Sequence, residues 1–450
     1  MGIADEELTR FTELLDTADA GPSAPDVDPV ERARRRRRRL RAGITTAVAA
    51  LVLMGLAGGY AAYALTTPVA LPGAETRTPQ PTAGAPVSLA MPAGASAVQV
   101  SGGTDFLGAE GLTAASGAPG PLPMASITKL VTALVVLDAH PLSGPDDPGP
   151  VLTFSKADHD LYDQYYVQGA TIAAMPTGST MSLHDALELM LVVSASNYAD
   201  AVSTWAFGSR GAFVRATDAW LDRNGLGGIT VVEPTGIDPR NTATAADLIT
   251  LGALAMGNET IAQIVGMSTL AVPGFTGSNT NTLLGTDGVR GIKTGTLEGS
   301  NLLYSSLLDV GIGEPLTITG AVLGGQDRDN VNSDVRALLG SIRAGFHEVP
   351  LARRGEVYGS YTTPWGAEAR MVVATDARVL TWSDTPITAQ MTTSPLTTGR
   401  AGEKVGTITW TAGARTASTD LVLDADIAMP DDWWRLTHPL ELDGPLAGRG

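Results

Sequence analysis

The sequence predicts an α+β fold, an antiparallel sheet with a helical cluster, followed by a small all-β domain and preceded by one transmembrane helix. Three observations lead there. An uncharged, apolar stretch runs without interruption from Ile44 to Leu65. Apolar residues recur at helical spacing in the middle of the chain, between segments whose period is nearer two. From about residue 347, short β-like runs alternate with turn residues and no helical period remains.

Composition sets limits on what this fold can do. The 450 residues leave room for two folded domains and non-globular segments. There is no cysteine, which excludes disulfides, thiolate metal sites and cysteine nucleophiles. The net charge is −17, and residues 1–43 carry nine Arg against nine Asp and Glu, so the whole of it falls on the remainder. A folded part this acidic repels polyanions, and nucleic-acid binding is excluded. Only four lysines occur (Lys129, Lys156, Lys293 and Lys404) in a chain that otherwise uses arginine. Under such a bias a lysine points to a need for a titratable amine.

Residues 1–43 form a polar tail that ends in an Arg-rich stretch, Arg32, Arg34 to Arg39 and Arg41, with a short helix expected over Leu8 to Leu15. Residues 44–65 follow at once; 22 helical residues reach roughly 33 Å, enough for a bilayer core. Arginines before the span place the N-terminus in the cytoplasm and everything after residue 66 outside. Ala62-Tyr63-Ala64 keeps a cleaved signal peptide as the competing reading. Residues 66–95, rich in Pro, Thr, Ala and Gly, are an extended spacer.

The catalytic candidate is residues 96–346. Ala97 to Ser101 has strand character, Asp185 to Ala206 and 245–266 are helical, Leu302 to Ser306 and Leu316 to Leu323 alternate as strands, and 334–344 is helical again. Residues 347–430 form the β-rich domain, in which no ligand cluster or nucleophile is found, and 431–450 are a C-terminal tail. In that tail Trp433-Trp434-Arg435 suits either a membrane interface or plain packing.

Three short segments carry chemistry. Ser126 and Lys129 open an apolar helix at a spacing that puts Oγ and Nζ on one face. A lysine whose pKa is lowered by burial and a cationic neighbour can take the serine's proton. Ser194, in Val193-Ser194-Ala195-Ser196-Asn197, can pass a proton to a leaving amine. Lys293-Thr294-Gly295-Thr296 offers positive charge, two hydroxyls for a substrate carboxylate, and a glycine that lets substrate lie close to a strand. Backbone amides, that of Ser126 among them, would form an oxyanion hole. Together these groups are sufficient for acyl transfer.

S-x-x-K, an S-x-N-like element and K-T-G, in that order, resemble the penicillin-binding proteins and serine β-lactamases. Asn279 to Gly285 leading into Gly291-Ile292-Lys293-Thr294-Gly295, with Pro234 to Asp238 and Thr244 to Leu248, is similar to the serine-type D-alanyl-D-alanine carboxypeptidases, the low-molecular-mass penicillin-binding proteins. The resemblance covers roughly residues 96–345. It implies an enzyme of the bacterial cell membrane that removes the terminal D-alanine of peptidoglycan stem peptides through a serine acyl-enzyme. It also implies acylation by β-lactams and no metal or cofactor. Carried onto this chain, Ser126, Lys129 and Ser194 are the catalytic residues, and Ser196, Asn197, Lys293, Thr294, Gly295 and Thr296 bind substrate. The chain departs from the pattern at Ser196, where the family usually has asparagine; Asn197 comes one residue later. Two alternatives stay open. Glu233-Pro234 stands about where a class A β-lactamase carries its deacylating glutamate, and Ser196 is compatible with a weakly active or inactive wall-binding relative.

Overall fold

The computed structural model describes residues 28–442. The short helix expected over Leu8 to Leu15 lies outside them. Helix α1 (Pro29–Thr66) runs unbroken from the arginine stretch through the apolar segment, capped by Asp28, whose side chain accepts from Val30 N. It is long and apolar enough to cross a membrane, and nearly all of its side chains are exposed. Strand β1 (Gly73–Thr76) follows within the proline-rich spacer.

The catalytic candidate begins with β2 (Ala95–Ser101) and β3 (Leu112–Ser116). A helical block comes next: α2 (Thr128–Ala139), α3 (Lys156–Tyr166), α4 (Leu183–Leu191), α5 (Ser196–Phe207), α6 (Arg210–Arg223), α7 (Ala245–Gly257) and α8 (Glu259–Gly266). Then come β4 (Val289–Thr296), β5 (Ser300–Leu308), β6 (Leu316–Gly325) and α9 (Arg328–Gly345). The five strands form one antiparallel sheet in the order β4-β5-β6-β2-β3.

This sheet is covered on both faces, so the residues of its central strands are buried almost throughout, whichever face they point to. Leu303, Ala321 and Leu323 face the helical block and pack with Leu248, Leu251 and Ala255 of α7. Leu302, Tyr304, Ile318 and Val322 face the other way, against Val331, Val335, Leu338 and Ile342 of α9. The period-two pattern read in the sequence is this division between two cores.

Two expected helices are each divided. The segment 185–206 breaks between α4 and α5, and Ser194 in the break takes a left-handed conformation with φ 70°. The segment 245–266 bends by 100° at Asn258, whose side chain caps α8 through Ile261 N.

The β-rich region holds β7 (Phe346–Ala352), β8 (Val357–Thr362), β9 (Glu368–Val373), β10 (Ala377–Trp382), β11 (Ile387–Thr393), β12 (Lys404–Ala412) and β13 (Arg415–Leu423), then a short helix α10 (Asp432–Thr437). β7 pairs with β10. The other five join β1 in a six-stranded sheet ordered β1-β8-β9-β13-β12-β11, around Tyr361, Met371, Ile408, Trp410 and Leu421. The spacer thus lends a strand to the domain that follows the catalytic one, with Gly73 opposite Thr362 and Thr76 opposite Gly359.

Candidate active site

Ser126 sits in a single 3-10 turn, Ala125–Ile127, that leads into α2. The turn is held from outside: Thr128 Oγ1 donates to Ala125 O at 2.8 Å, and Gly236 packs so closely that a Cβ there would lie 1.9 Å from the same carbonyl. Ala125 itself is left-handed, φ 49°. A non-glycine residue in that region costs about 1–3 kcal/mol and persists where its surroundings over-determine it.

Lys129, one turn on, is fully buried; its Nζ lies 2.9 Å from Ser126 Oγ and donates to Thr235 O at 2.8 Å. Burial lowers its pKa to about 7, against a smaller upward pull from Glu233. Of the two causes expected from the sequence, burial and a cationic neighbour, burial is the one at work. Lys293 is the second buried ammonium, on β4; its Nζ donates to Ser194 Oγ at 3.0 Å and to Thr294 O at 3.2 Å. Burial holds its pKa well below the usual lysine range, helped by the charges of Lys129 and then Arg328. The two remaining lysines are exposed and paired with Asp160 and Asp420.

Between these pairs lies a cleft of about 380 Å³ lined by Ser126, Ser194, Ser196, Thr294, Gly295, Thr296 and Arg328, among others. Gly295 permits the approach of β4 to the serine: a Cβ there would be 2.8 Å from Met124 O and 3.3 Å from Ser126 N. Thr294 Oγ1 donates to Thr280 Oγ1 at 2.7 Å, and Arg328 donates through Nη1 to Thr280 O and through Nη2 to Thr296 Oγ1 at 3.1 Å. One end of the cleft therefore carries a guanidinium and three hydroxyls, the chemistry that holds a carboxylate.

Of the residues singled out in the sequence, Ser126, Lys129, Ser194, Ser196, Lys293, Thr294, Gly295 and Thr296 converge here. Asn197 does not. It is fully buried on α5 and turned away from the cleft, its amide bonded to both backbone groups of Ala173 (3.1 Å and 2.8 Å). Ser196, the first residue of α5, lines the cleft instead, its N–H donating to Thr171 O at 2.8 Å. Arg328 and Thr280 were not anticipated. Thr280 lies in the Asn279-Thr280-Asn281 element, whereas Arg328 carries no local signal beyond the start of a helix capped by Asp327.

Glu233 has a different place from the one a deacylating base needs. Its carboxylate accepts from Thr235 N (2.8 Å), Thr235 Oγ1 (2.7 Å), Gly236 N (2.6 Å), Asp238 N (3.3 Å) and Asn241 Nδ2 (2.5 Å). It organises the loop whose carbonyls at Pro234 and Thr235 receive Thr132 and Lys129, and it does not line the cleft. A second groove, of about 490 Å³, runs between the spacer at 79–84 and β7–β8, and is lined by neither serine nor lysine.

With this geometry in view, residues 114–306 match the family model for D-alanyl-D-alanine carboxypeptidases. Over less than half of the chain, this segment is similar to that family. Among curated relatives, the D-alanyl-D-alanine endopeptidases of Pseudomonas aeruginosa and Escherichia coli are 34% identical over 131 residues and 33% over 130. Each match takes in 29% of this chain and 38% of the relative's length. The structure of penicillin binding protein 6B from Escherichia coli aligns over 74% of this chain and 95% of that one, at 21% identity and a TM-score of 0.51. The overlap places the carboxypeptidase-like domain on the penicillin-binding fold.

Proposed function

We propose that this protein is a D-alanyl-D-alanine carboxypeptidase, which removes the terminal D-alanine from peptidoglycan stem peptides through an acyl-enzyme on Ser126 and is acylated there by β-lactams. One observation carries the reading: two buried lysines are each hydrogen-bonded to a serine, and both serines line a single cleft. Neutral Lys129 takes the proton of Ser126 as Oγ bonds to the carbonyl carbon of the penultimate D-alanine. The oxyanion that forms is held by backbone amides, that of Ser126 among them. As the C–N bond breaks, the proton held by Lys129 is relayed through Ser194 Oγ to the leaving amine, which leaves Lys129 neutral again, with Lys293 stabilising the charge on that side. Water then attacks the ester carbon, its proton passes to Lys129, and Ser126 Oγ leaves reprotonated. Arg328 with Thr294 and Thr296 binds the carboxylate of the departing D-alanine. No step requires a metal or cofactor.

A second reading has its own support. A cross-link whose leaving D-amino acid bears a free carboxylate satisfies the same end of the cleft, and the curated relatives are endopeptidases. The β-lactamase alternative is weakened by the five hydrogen bonds that already engage Glu233. The inactive-relative alternative is weakened by the intact pairing of both lysines.

We read α1 as an uncleaved, single-pass anchor with a cytoplasmic N-terminus. Its arginines support that orientation, and Ala64, at the candidate processing site, is completely covered. The test is incubation with a labelled penicillin followed by mass spectrometry, then an assay of D-alanine release from a pentapeptide and of cleavage of a cross-linked muropeptide. One stable adduct on Ser126, lost in Ser126→Ala and Lys129→Ala, is expected. Absence of any adduct overturns the acyl-enzyme, and rapid release of hydrolysed antibiotic favours a β-lactamase.

A further inference from the structure

The first turns of α4 carry a second cluster of ionisable groups, which the acyl-transfer chemistry does not use. Ser182 caps this helix, its Oγ accepting from Asp185 N at 3.0 Å. His184 and Glu188, four residues apart, share one helical face, and His184 Nδ1 lies 3.4 Å from Glu188 Oε1. Asp185 brings a carboxylate oxygen within 4.8 Å of both. The three side chains line a cavity of about 470 Å³ together with Asp146 and Gln263, and none of its lining residues lines the catalytic cleft.

Two of these groups lack the partners that burial demands. Glu188 is only 8% exposed, yet among the described residues its carboxylate accepts no hydrogen bond and pairs with no lysine or arginine. His184 Nε2 is sealed from solvent without a hydrogen-bond partner. A carboxylate taken out of water is stable when it is paired or coordinates a metal. A neutral imidazole supplies no charge, and Asp185 adds a second negative one. The spacing fits a metal: two ligands each roughly 2.0–2.1 Å from a tetrahedral zinc ion stand ~3.3 Å apart, close to the 3.4 Å between His184 and Glu188. An imidazole nitrogen beside two carboxylates suits zinc, whereas calcium and magnesium take oxygen ligands. The surroundings are pinned in advance. His184 N donates to Pro148 O at 3.2 Å, and Asp147 accepts from Ser143 N (2.8 Å) and Gly149 N (2.9 Å), which fixes the loop that carries Asp146.

We propose that His184, Asp185 and Glu188 form a zinc site at the start of α4, its remaining position filled by Asp146 or water. The ion ties α4 to the loop at 143–149. The far end of the same helix leads into the break that presents Ser194, so the site braces the catalytic block from outside the cleft. To test this, full-length protein in detergent is stripped with a chelator and titrated with zinc chloride by calorimetry, and its thermal unfolding is followed with and without zinc. One bound equivalent and a raised unfolding midpoint are expected. Binding is expected to weaken about 10²-fold in Glu188→Gln and in His184→Ala, no less than the loss of a ligand's outer hydrogen-bond partner costs. Asp185→Ala, at a partly exposed position, carries the same expectation should the two buried changes unfold the chain, and circular dichroism reports the fold of each variant. No zinc binding, or binding unchanged in a folded variant of any of the three residues, overturns the site. Calcium bound in preference to zinc overturns the choice of metal.

Discussion

Ser194 Oγ lies 3.0 Å from Lys293 Nζ although the two residues stand 99 positions apart. The contact exists because the helical run of 183–207 is interrupted at Val192–Ala195, which turns Ser194 out of the helix and towards β4. The same interruption makes Ser196, not Asn197, the helix's first cleft residue.

The first prediction concerns pH. Lys129 acts as a base only when neutral, and burial brings its pKa to about 7. The acylation rate with penicillin is expected to fall about tenfold per unit below that value and to level off above it. For stability, the unfolded chain still holds this proton between pH 7 and the ordinary lysine range while the native chain has lost it. The Lys129 contribution therefore rises with pH across that window. A rate that stays flat from pH 5 to 9 would sink the assignment of Lys129 as the base.

Gly295→Ala tests the approach of β4 to the serine. Its Cβ would meet Met124 O at 2.8 Å and crowd Ala125 and Ser126 N. Overpacking of this kind costs about 1–3 kcal/mol, and displacing an oxyanion donor lowers acylation on the order of 10²-fold. Stopped-flow acylation and chemical denaturation read the two effects separately; unchanged acylation contradicts the tight contact.

Arg328→Leu removes the cation from the carboxylate end. Loss of a hydrogen-bonded charge partner costs about 2–5 kcal/mol. At one factor of ten for every ~1.4 kcal/mol, kcat/KM for an acyl-D-Ala-D-Ala substrate falls by roughly 30-fold or more. The C-terminal amide of the same peptide, already poor, is expected to change little. Equal losses on both substrates would point to a structural role instead.

Glu233→Gln separates the loop role from a catalytic one. The amide nitrogen must face a donor that the carboxylate now accepts, which costs about 1–3 kcal/mol of stability. The lifetime of the penicillin adduct is expected to stay as it is. A marked lengthening, with stability unchanged, would revive Glu233 as a deacylating base.

The site was legible where a motif is local. Ser126 and Lys129 meet within one helical turn, and Lys293 to Thr296 lie on a single strand. Ser194 was found by type, but its surroundings were misread, since no Gly or Pro marks the break that frees it. The break is held by tertiary bonds such as Ala195 N to Leu189 O and Thr280 N to Val192 O. Arg328 was invisible for a related reason: its partners, Thr280 and Thr296, come from segments 48 and 32 residues away. The sheet and helices were readable from their periods, but β1 was not. Four residues exposed on both faces leave no alternation to detect.

That small strand has a mechanical consequence. The chain leaving α1 is laid into the C-terminal sheet before it reaches the catalytic domain, and β1 runs antiparallel to β8. With α1 as the proposed anchor, a pull along it meets the Arg435 contacts with Ala64 and Thr67 and then the Gly73–Thr76 ladder before it reaches the catalytic domain.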